Sequence, residues 1–584
     1  MKRCPECRRD YYDETLNFCL DDGAALVDGP ASVDEPATAI LEVGRISSEQ
    51  ATRTIGHDAA RTYKSGGIET VNPKRNVSRR TGLFAAAVAL LVIGLGVGGY
   101  FNYGRNSALR IESLAIMPFV NESGNIEYEY LSDGLTETLI NNLSQLPDLS
   151  VKARSSVFSY KGKNASIQQI GTELAVQAVL NGRVLQRGDN LTISVELVDA
   201  RNGNQIWGEQ YNQKLVDLTA LQSSIARDVS NKLHQKLTAA EGRQVAKKYT
   251  TDSDAYQLYL KGLFHWNKRT VDDLRTAIVY FDQAREKDPS FALAHVGLAL
   301  TYSVLPSNTL LTKEETAEAN LKAKAAALRA LELDNSLAEP HAALAMAKMG
   351  EWDFAGAENE FKRAIEINPS YATAHQWYSE LLARLGRLDE ALSEIKKAYE
   401  LDPFSTAVNM NVGLRYAEAG RADEAFTQFK KTTELSPDYP MAYWYLADIY
   451  FERGMYEESF AMSSKGNLLL KVETPEGEER KASELRQVLK AEGVKGYWRK
   501  SLEYEMEWYE KGISTPFYVA AVYAELGEKD KAFEWLEKAY ADRAFDLTNL
   551  KTNRRFRSLH SDRRFQDLAR RVGLSHGSQF DRKV

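Results

Sequence analysis

The sequence predicts a multidomain fold with four parts: a short N-terminal head, one transmembrane helix, an α/β domain and an all-α repeat superhelix. Three observations support this prediction. All 3 cysteines fall within the first 19 residues. Residues 82–101 carry no charged side chain. From residue 250 onward an alanine-rich pattern returns with a period near 34 residues, which is typical of a repeated helix pair.

The composition is that of a globular protein. Its 584 residues are enough for roughly three to five domains. With 43% hydrophobic and 27% charged residues, the chain is not wholly disordered, collagen-like or a polytopic membrane protein. The net charge of −7 gives no support for nucleic-acid binding by the whole protein. Because no cysteine follows residue 19, a disulfide framework is excluded there.

Two short motifs with the same spacing lie near the start of the chain: C-x-x-C at Cys4 and Cys7, and C-x-x-D at Cys19 and Asp22. Tetrahedral zinc needs two donors from each of two such turns, and a carboxylate oxygen is an accepted ligand. We therefore predict a structural zinc ion in residues 1–27, with an unmetallated tail as the alternative and Asp21 as a rival fourth ligand. The predicted ligands are Cys4, Cys7, Cys19 and Asp22.

The pattern C-P-x-C…F-C-x-x-D-G-x-x-L resembles the short zinc-ribbon heads at the N-termini of some bacterial membrane proteins. In those heads the fourth ligand is usually a cysteine, and Asp22 stands in its place here. The resemblance implies a zinc-ribbon-like head.

A linker and a membrane span follow the head. Residues 28–80 are rich in Ala, Ser, Thr, Gly and acidic residues, which predicts a flexible linker. At about 1.5 Å per residue, the uncharged run 82–101 matches the roughly 30 Å hydrocarbon core of a bilayer. We predict a single transmembrane helix there, with a buried core helix as the alternative. The run lies too far into the chain for a signal peptide.

Basic residues flank this predicted span unevenly, with more of them before it than after it. The positive-inside rule then places the N-terminus in the cytoplasm and the repeats outside the bacterial cytoplasmic (inner) membrane. Gly94 and Gly98 form a G-x-x-x-G pattern, which lets two helices approach closely. Homodimerisation through these glycines is one hypothesis, and simple glycine enrichment is the other.

Strand and helix patterns alternate over residues 110–240. The run S-L-A-I-M-P-F-V reads as a buried strand, and Leu131, Leu135 and Leu139 follow at helical spacing. Three later strands are separated by the turns G-D-N and R-N-G-N, as in hairpins. These patterns predict an α/β domain, and no catalytic motif stands out in it.

The strings A-I-M-P-F-V-N-E-S-G-N-I-E-Y-E-Y-L-S-D-G-L-T-E-T-L-I and L-T-I-S-V-E-L-V-D-A-R-N-G-N-Q-I-W-G-E-Q-Y resemble the TolB-type N-terminal (FlgO-like) domain. That domain precedes repeat arrays in bacterial membrane proteins, behind a nucleotide cyclase, a protein kinase or a winged-helix head. We expect none of those heads here, because only about 80 residues precede the predicted span.

The repeats share the motif A-x3-F/I-x2-A-x4-P. Their prolines Pro369, Pro403 and Pro437 are 34 residues apart, the period of tetratricopeptide repeats. Small alanines let neighbouring helices pack closely, and glycines at the turns favour a positive φ. We predict a tetratricopeptide-repeat superhelix over 250–470. Residues 471–584 should hold degenerate repeats, one further repeat near 513–546 and a C-terminal cap.

Repeat arrays usually bind peptides on the concave face formed by the first helix of each pair. The repeat register predicts which side chains face that groove, although Trp444 could equally pack between helices. The predicted groove residues are Met346, Gln376, Glu380, Met410, Leu414, Trp444 and Asp448.

These features predict a non-enzymatic, membrane-anchored scaffold or adaptor that binds protein or peptide partners, in envelope sensing or signalling. The alternative is a one-component transmembrane regulator whose zinc head binds nucleic acid or protein. Lys2, Arg3, Arg8 and Arg9 lie beside the first cysteine turn, but so short a head makes a nucleic-acid partner the weaker hypothesis. An enzyme hidden in the α/β domain is a third hypothesis.

Overall fold

The computed structural model describes residues 2–3, 10–11, 27–28, 111–233, 238–308, 313–471 and 473–574. The chain divides into two compact units, Met1–Gly96 and Val97–Val584.

The described part of the first unit is a small antiparallel sheet. Its strands are β1 (Lys2–Arg3), β2 (Asp10–Tyr11) and β3 (Val27–Asp28), and β1 lies in the middle. The predicted zinc ligands Cys4, Cys7, Cys19 and Asp22 lie outside the described residues, so zinc binding there stays a prediction.

The predicted fold class is wrong in its membrane-spanning and metal-binding parts. In the ranges that the structure describes, no helix is long and apolar enough to cross a membrane. Even the 36-residue helix Pro475–Glu510 carries charged side chains along its length. Over the same ranges, no group of three or more His, Cys, Asp or Glu side chains could hold a metal ion.

The predicted location is corrected for the same reason. Without a suitable helix in the described part of the chain, a single-pass protein of the inner membrane with extracytoplasmic repeats is not supported. The run 82–101, with Gly94 and Gly98, lies outside the described residues. The structure instead shows a mostly helical repeat superhelix with a small α/β domain.

The α/β domain is built on a six-stranded mixed sheet. The strand order is β6-β4-β7-β8-β9, with β5 also beside β7. Strand β4 runs parallel to β6 and β7, and β7, β8 and β9 form antiparallel hairpins. The strands are β4 (Ser113–Ile116), β5 (Val120–Asn121), β6 (Ser150–Val151), β7 (Ala178–Arg187), β8 (Asn190–Asp199) and β9 (Gln205–Lys214).

Five helices accompany this sheet. They are α1 (Glu129–Leu143), α2 (Arg154–Phe158), α3 (Ile167–Glu173), α4 (Leu218–Leu233) and α5 (Ala239–Val245). Leu131, Leu135 and Leu139 of α1 are fully buried, as their helical spacing predicts.

Sixteen further helices of the described part build and close the repeat array. The first eight are α6 (Ser253–Trp266), α7 (Val271–Lys287), α8 (Ala292–Asn308), α9 (Lys313–Leu333), α10 (Glu339–Gly350), α11 (Phe354–Ile367), α12 (Ala372–Arg384) and α13 (Leu388–Leu401). The other eight are α14 (Thr406–Glu418), α15 (Ala422–Leu435), α16 (Pro440–Glu452), α17 (Tyr456–Leu470), α18 (Pro475–Glu510), α19 (Pro516–Leu526), α20 (Lys529–Ala541) and α21 (Arg563–Val572).

The repeat motif explains the packing of consecutive pairs. The motif residues of the second helices are fully buried, as at Ala357, Phe361 and Ala364, with Ile395 replacing the aromatic residue in α13 and Thr432 replacing the second alanine in α15. In the α14–α15 pair, a Cβ on Gly413 would lie only 2.4 Å from the ring of Phe429, so glycine is needed for this close approach.

The C-terminal part folds back onto the middle of the array. Helix α18 bends at Gly493, where φ is 67°. After α20 the chain makes two short 3-10 turns, Phe545–Asn549 and Arg554–Leu559. Phe556 of the second turn belongs to the same apolar cluster as Phe361 of α11. The C-terminal segment therefore packs against the middle of the array, and we describe the array as closed for this reason.

Candidate functional site

Aromatic and charged side chains lie close together where α16, α18 and α19 meet the two 3-10 turns. Asp448 of α16 contacts Arg554 at 3.1 Å and Arg555 at 3.3 Å. The guanidinium of Arg555 lies 5.2 Å from the ring centre of Trp498. We call this region the inner cleft and define it by Tyr445, Asp448, Tyr497, Glu505, Tyr518, Glu525, Asp546, Arg554 and Arg555.

Side chains of the inner cleft can be reached by solvent and are nevertheless crowded by protein. Tyr518 keeps 39% of its surface exposed, and Phe545 at the edge keeps 40%. The charge of Asp546 and burial still raise the pKa of the Tyr518 hydroxyl well above its ordinary value. The hydroxyl of Tyr518 therefore lies among other side chains, although part of the residue is exposed.

The inner cleft carries an excess of carboxylates. Arg554 is matched by Asp448 and by Glu452, at 2.6 Å. Glu505, Glu525 and Asp546 form no salt bridge within the described residues, and burial raises the pKa of all three. Two of them accept hydrogen bonds from hydroxyl groups: Ser514 donates to Glu505, and Thr515 donates to Asp546 at 2.8 Å.

A buried arginine borders the same cleft. Arg384 of α12 is only 9% exposed, and its guanidinium lies 4.8 Å from the ring centre of Phe545. Its Nε donates to Asn549 Oδ1 at 3.2 Å, while its buried Nη1 has no hydrogen-bond partner in the structure. Burial lowers the pKa of Arg384, and an unsatisfied buried donor is costly to keep.

The predicted groove residues divide into accessible and buried ones. Gln376 and Met410 are buried, and Gln376 donates to Glu380 at 3.3 Å. Trp444 packs between α16 and α17, where its Nε1 donates to Asn467 Oδ1 at 2.9 Å. Met346 and Leu414 are half-buried against the apolar clusters.

Of the predicted groove residues, Asp448 reaches the inner cleft and Glu380 lies near its border beside Arg384. Partner binding by the predicted set stays a prediction. Sequence reasoning missed Glu505, Tyr518 and Asp546 because groove residues were predicted only from the regular repeats before residue 471. The dense acidic and aromatic run L-E-Y-E-M-E-W-Y-E, from residue 502 to residue 510, was the available signal.

A second surface joins the α/β domain to the corners where the second helices of the repeats end. Asp402, after α13, accepts hydrogen bonds from Ser155 and, at 2.6 Å, from Ser156. Asn368, after α11, donates to Ser144 at 2.9 Å. We call these contacts the corner interface. Because they use successive corners, they fix the α/β domain against the array.

A cavity of about 450 Å³ lies between α20 and α21. Several of its charged side chains already form ion pairs. Arg564 binds Asp530 at 2.8 Å, and Arg571, a neighbour on α21, binds Glu537. Since its own carboxylates occupy these arginines, the cavity offers less to a ligand than the inner cleft.

Family models match three parts of the chain. Residues 110–236 match the second domain of HilA/YgeH-like transcriptional regulators. Residues 342–406 and 413–459 match tetratricopeptide-repeat models, so the predicted repeats are confirmed. Membership of the predicted TolB-type (FlgO-like) family is not shown by these matches.

Two kinds of relative share part of the chain. The putative adenylate cyclase 3 of Rhizobium meliloti is 34% identical over 191 residues, which cover 32% of this chain and 32% of that protein. The transcriptional regulator HilA of Salmonella typhimurium is 22% identical over 283 residues, covering 48% of this chain and 49% of HilA. The chain thus spans about a third and about half, respectively, of these relatives.

Solved repeat proteins resemble shorter stretches. The tetratricopeptide-repeat protein YrrB, described as having an unusual peptide-binding site, is 22% identical to this chain, with a TM-score of 0.24. The match covers 32% of this chain and 91% of YrrB. The pilF protein of Pseudomonas aeruginosa is 24% identical, with a TM-score of 0.28, covering 38% of this chain and 99% of pilF. With TM-scores this low, neither likeness supports a conclusion. From the family models, the chain carries tetratricopeptide repeats and a HilA-like α/β domain.

Proposed function

We propose that this chain is a non-enzymatic regulatory scaffold that binds a segment of a partner protein in the inner cleft. Tetratricopeptide repeats suggest a protein-interaction role in general. The observation that supports this particular cleft is its wall of solvent-accessible aromatic and charged side chains, among them Tyr518 and Arg555. These residue types are enriched at the centres of protein interfaces.

The corner interface supports the regulatory part of the proposal. It holds the α/β domain on the same array that carries the inner cleft, so a bound partner would sit in a fixed position relative to that domain. The likeness to a protein named as a transcriptional regulator favours regulation over a purely structural role. The likeness to a protein named as an adenylate cyclase covers only 32% of that protein, and no cyclase activity is proposed.

Selection of displayed random peptides on the full-length chain tests this proposal. We expect enriched peptides whose binding is lost with Tyr518→Ala, because that change removes the exposed ring of the cleft wall. Tyr302→Ala, on α8 and away from the cleft, is the matched control and should bind as the unaltered chain does. Enrichment of peptides that ignore Tyr518→Ala, or no enrichment, would show that the inner cleft is not the partner site.

A further inference from the structure

We propose that helix α9 binds a second copy of this chain, by pairing antiparallel with the same helix of that copy. This inference concerns the outer surface of the array. It goes beyond the proposed function and does not depend on what binds in the inner cleft.

An apolar stripe runs along the outer face of α9. Leu321 is 67% exposed and Leu328 is 44% exposed. Ala317 and Ala325 are exposed as well. These four residues are spaced four, four and three residues apart, so they lie on one face of the helix. Covering such a stripe with another apolar surface is favourable, because it removes exposed leucine side chains from water.

The other regular second helices are polar at the positions equivalent to Leu321, Ala325 and Leu328. Equivalent positions are counted back from the corner residue that follows each second helix, and at least two of the three are polar or charged in each of the other four helices. The residues are Arg275, Val279 and Asp282 on α7, Ala355, Asn359 and Lys362 on α11, Asp389, Ser393 and Lys396 on α13, and Asp423, Thr427 and Lys430 on α15. The apolar face of α9 therefore departs from the repeat pattern.

Helix α9 also extends further than the second helices that follow it. It has 21 residues, whereas α11, α13 and α15 have 14 each. All four helices end immediately before a corner residue, so the additional residues of α9 lengthen its start by about two turns. The exposed side chains of Glu314, Glu315 and Glu318 lie in this additional part. A second copy can reach them there.

The order of charges along α9 favours an antiparallel second copy. The three glutamates of the additional turns are followed by the basic residues Lys322, Lys324 and Arg329. A parallel pair of these helices would bring like charges together. An antiparallel pair places the acidic start of each helix beside the basic later part of the other, which is charge complementarity between two identical surfaces.

One pair of charges shows this complementarity in detail. Glu318 and Arg329 lie along the same edge of the apolar stripe, about three turns apart. In an antiparallel helix pair related by a two-fold axis, equivalent edges face each other, so Glu318 of one copy lies beside Arg329 of the other. Within the chain, Glu318 binds Lys322 at 2.7 Å and Arg329 binds Glu332 at 2.8 Å. Exposed pairs of this kind contribute little to stability and can exchange partners.

The size of the stripe predicts a weak dimer. Residues 317–328 span about 17 Å along the helix. Interfaces of this size are small and typical of transient complexes. We therefore expect a dissociation constant on the order of 10 µM.

Sedimentation equilibrium of the full-length chain, from about 1 to 200 µM, tests the proposal. We expect the molar mass to rise with concentration toward that of two chains. Leu321→Glu combined with Leu328→Glu should weaken this association at least about tenfold, because it places charges in the apolar contact. Both side chains are exposed, so the thermal midpoint should stay the same. A chain that remains monomeric over the whole range would overturn the proposal.

Asp389→Glu combined with Lys396→Glu is the matched control. It places the same two side chains at the equivalent exposed positions of α13. This double variant should associate as the unaltered chain does. Equal weakening by the two double variants, or association that the leucine variant leaves unchanged, would overturn binding through α9.

Charge exchange tests the antiparallel arrangement. Glu318→Lys should weaken the association several-fold, and adding Arg329→Glu should restore most of it, because both charges of the contact between copies are then reversed together. The exchange does not restore the pairs with Lys322 and Glu332 within the chain, so recovery reports the contact between copies. Failure of the second change to restore association would overturn the antiparallel pairing.

Discussion

Single backbone positions show how the repeats tolerate substitution. The turn between the two helices of a pair uses a residue with positive φ, such as Gly386 at 82° and Gly420 at 77°. The repeat pattern predicts glycine there. In the α10–α11 pair, Trp352 takes this place with φ of 64°, and its ring packs on Tyr540 at 5.6 Å. The sequence pattern could not predict this exception, because the ring that packs against Trp352 comes from a distant part of the chain.

At this scale, Gly420→Ala should lower the free energy of unfolding by about 1 kcal/mol. A Cβ at Gly420 would meet no atom within 4 Å, so the cost comes only from the left-handed backbone. Gly242→Ala is the control, because Gly242 is helical and also has open space around it. It should raise stability by about 0.5–1 kcal/mol. Urea unfolding of the full chain measures both, and a loss in both variants would refute the backbone explanation.

Whole elements are placed by contacts that the sequence pattern does not encode. The apolar spacing of α1 predicts one buried face, and the structure confirms that Leu131, Leu135 and Leu139 are buried. The polar residues of the same helix, Ser132 and Thr136 among them, are buried as well. Thr136 accepts a hydrogen bond from the backbone of Phe119 at 2.9 Å, whereas Gly134 and Thr138 lie against Leu260 and Tyr256 of α6. Contacts on both sides therefore bury α1.

The corner interface gives a prediction of pH dependence. Asp402 is 6% exposed, and burial raises the pKa of its carboxyl despite the hydrogen bonds from Ser155 and Ser156. Its proton is therefore held more tightly in the folded than in the unfolded protein. The contribution of Asp402 to stability must then fall as pH rises from about 4 through the raised pKa, by about 1.4 kcal/mol for each pH unit that separates the folded and unfolded pKa.

Asp402→Asn removes this titration while keeping a hydrogen-bonding side chain. The thermal midpoint of the variant, compared with that of the unaltered chain, should therefore improve as the pH rises from about 4 through the raised pKa. Asp438→Asn, at the exposed corner after α15, serves as the control and should show no such trend. An Asp402→Asn difference that stays constant with pH would argue against a buried carboxyl at this corner.

At the scale of the whole molecule, the array is closed by its own C-terminal segment. Sequence reasoning predicted a C-terminal cap and one further repeat in residues 471–584, but no contact with the middle of the array. Phe517, Phe556 and Phe565 share an apolar cluster with Phe354 and Phe361. The repeat period indicates only which helices of consecutive repeats pack together. A contact between segments about 200 residues apart therefore leaves no pattern in the sequence.

Because the array is closed in this way, alanine substitutions of two phenylalanines in the C-terminal turns should lower the free energy of unfolding by very different amounts. Phe556 is fully buried, and Phe556→Ala should destabilise the protein by about 3–5 kcal/mol. Phe545 is 40% exposed, and Phe545→Ala should cost less than about 1 kcal/mol. Denaturant unfolding of both full-length variants measures the difference. Similar small losses in the two would mean that the segment is not anchored on the array.

The proposed role of this protein depends on a partner that binds in the inner cleft of the closed array. Hydrogen–deuterium exchange of the full-length chain, with and without a selected peptide, locates the bound partner without any substitution. We expect slower exchange in α16, α18, α19 and residues 545–559, with no change in strand β9. Protection confined to β9, the corner interface or the second helices of the repeats would contradict binding in the inner cleft.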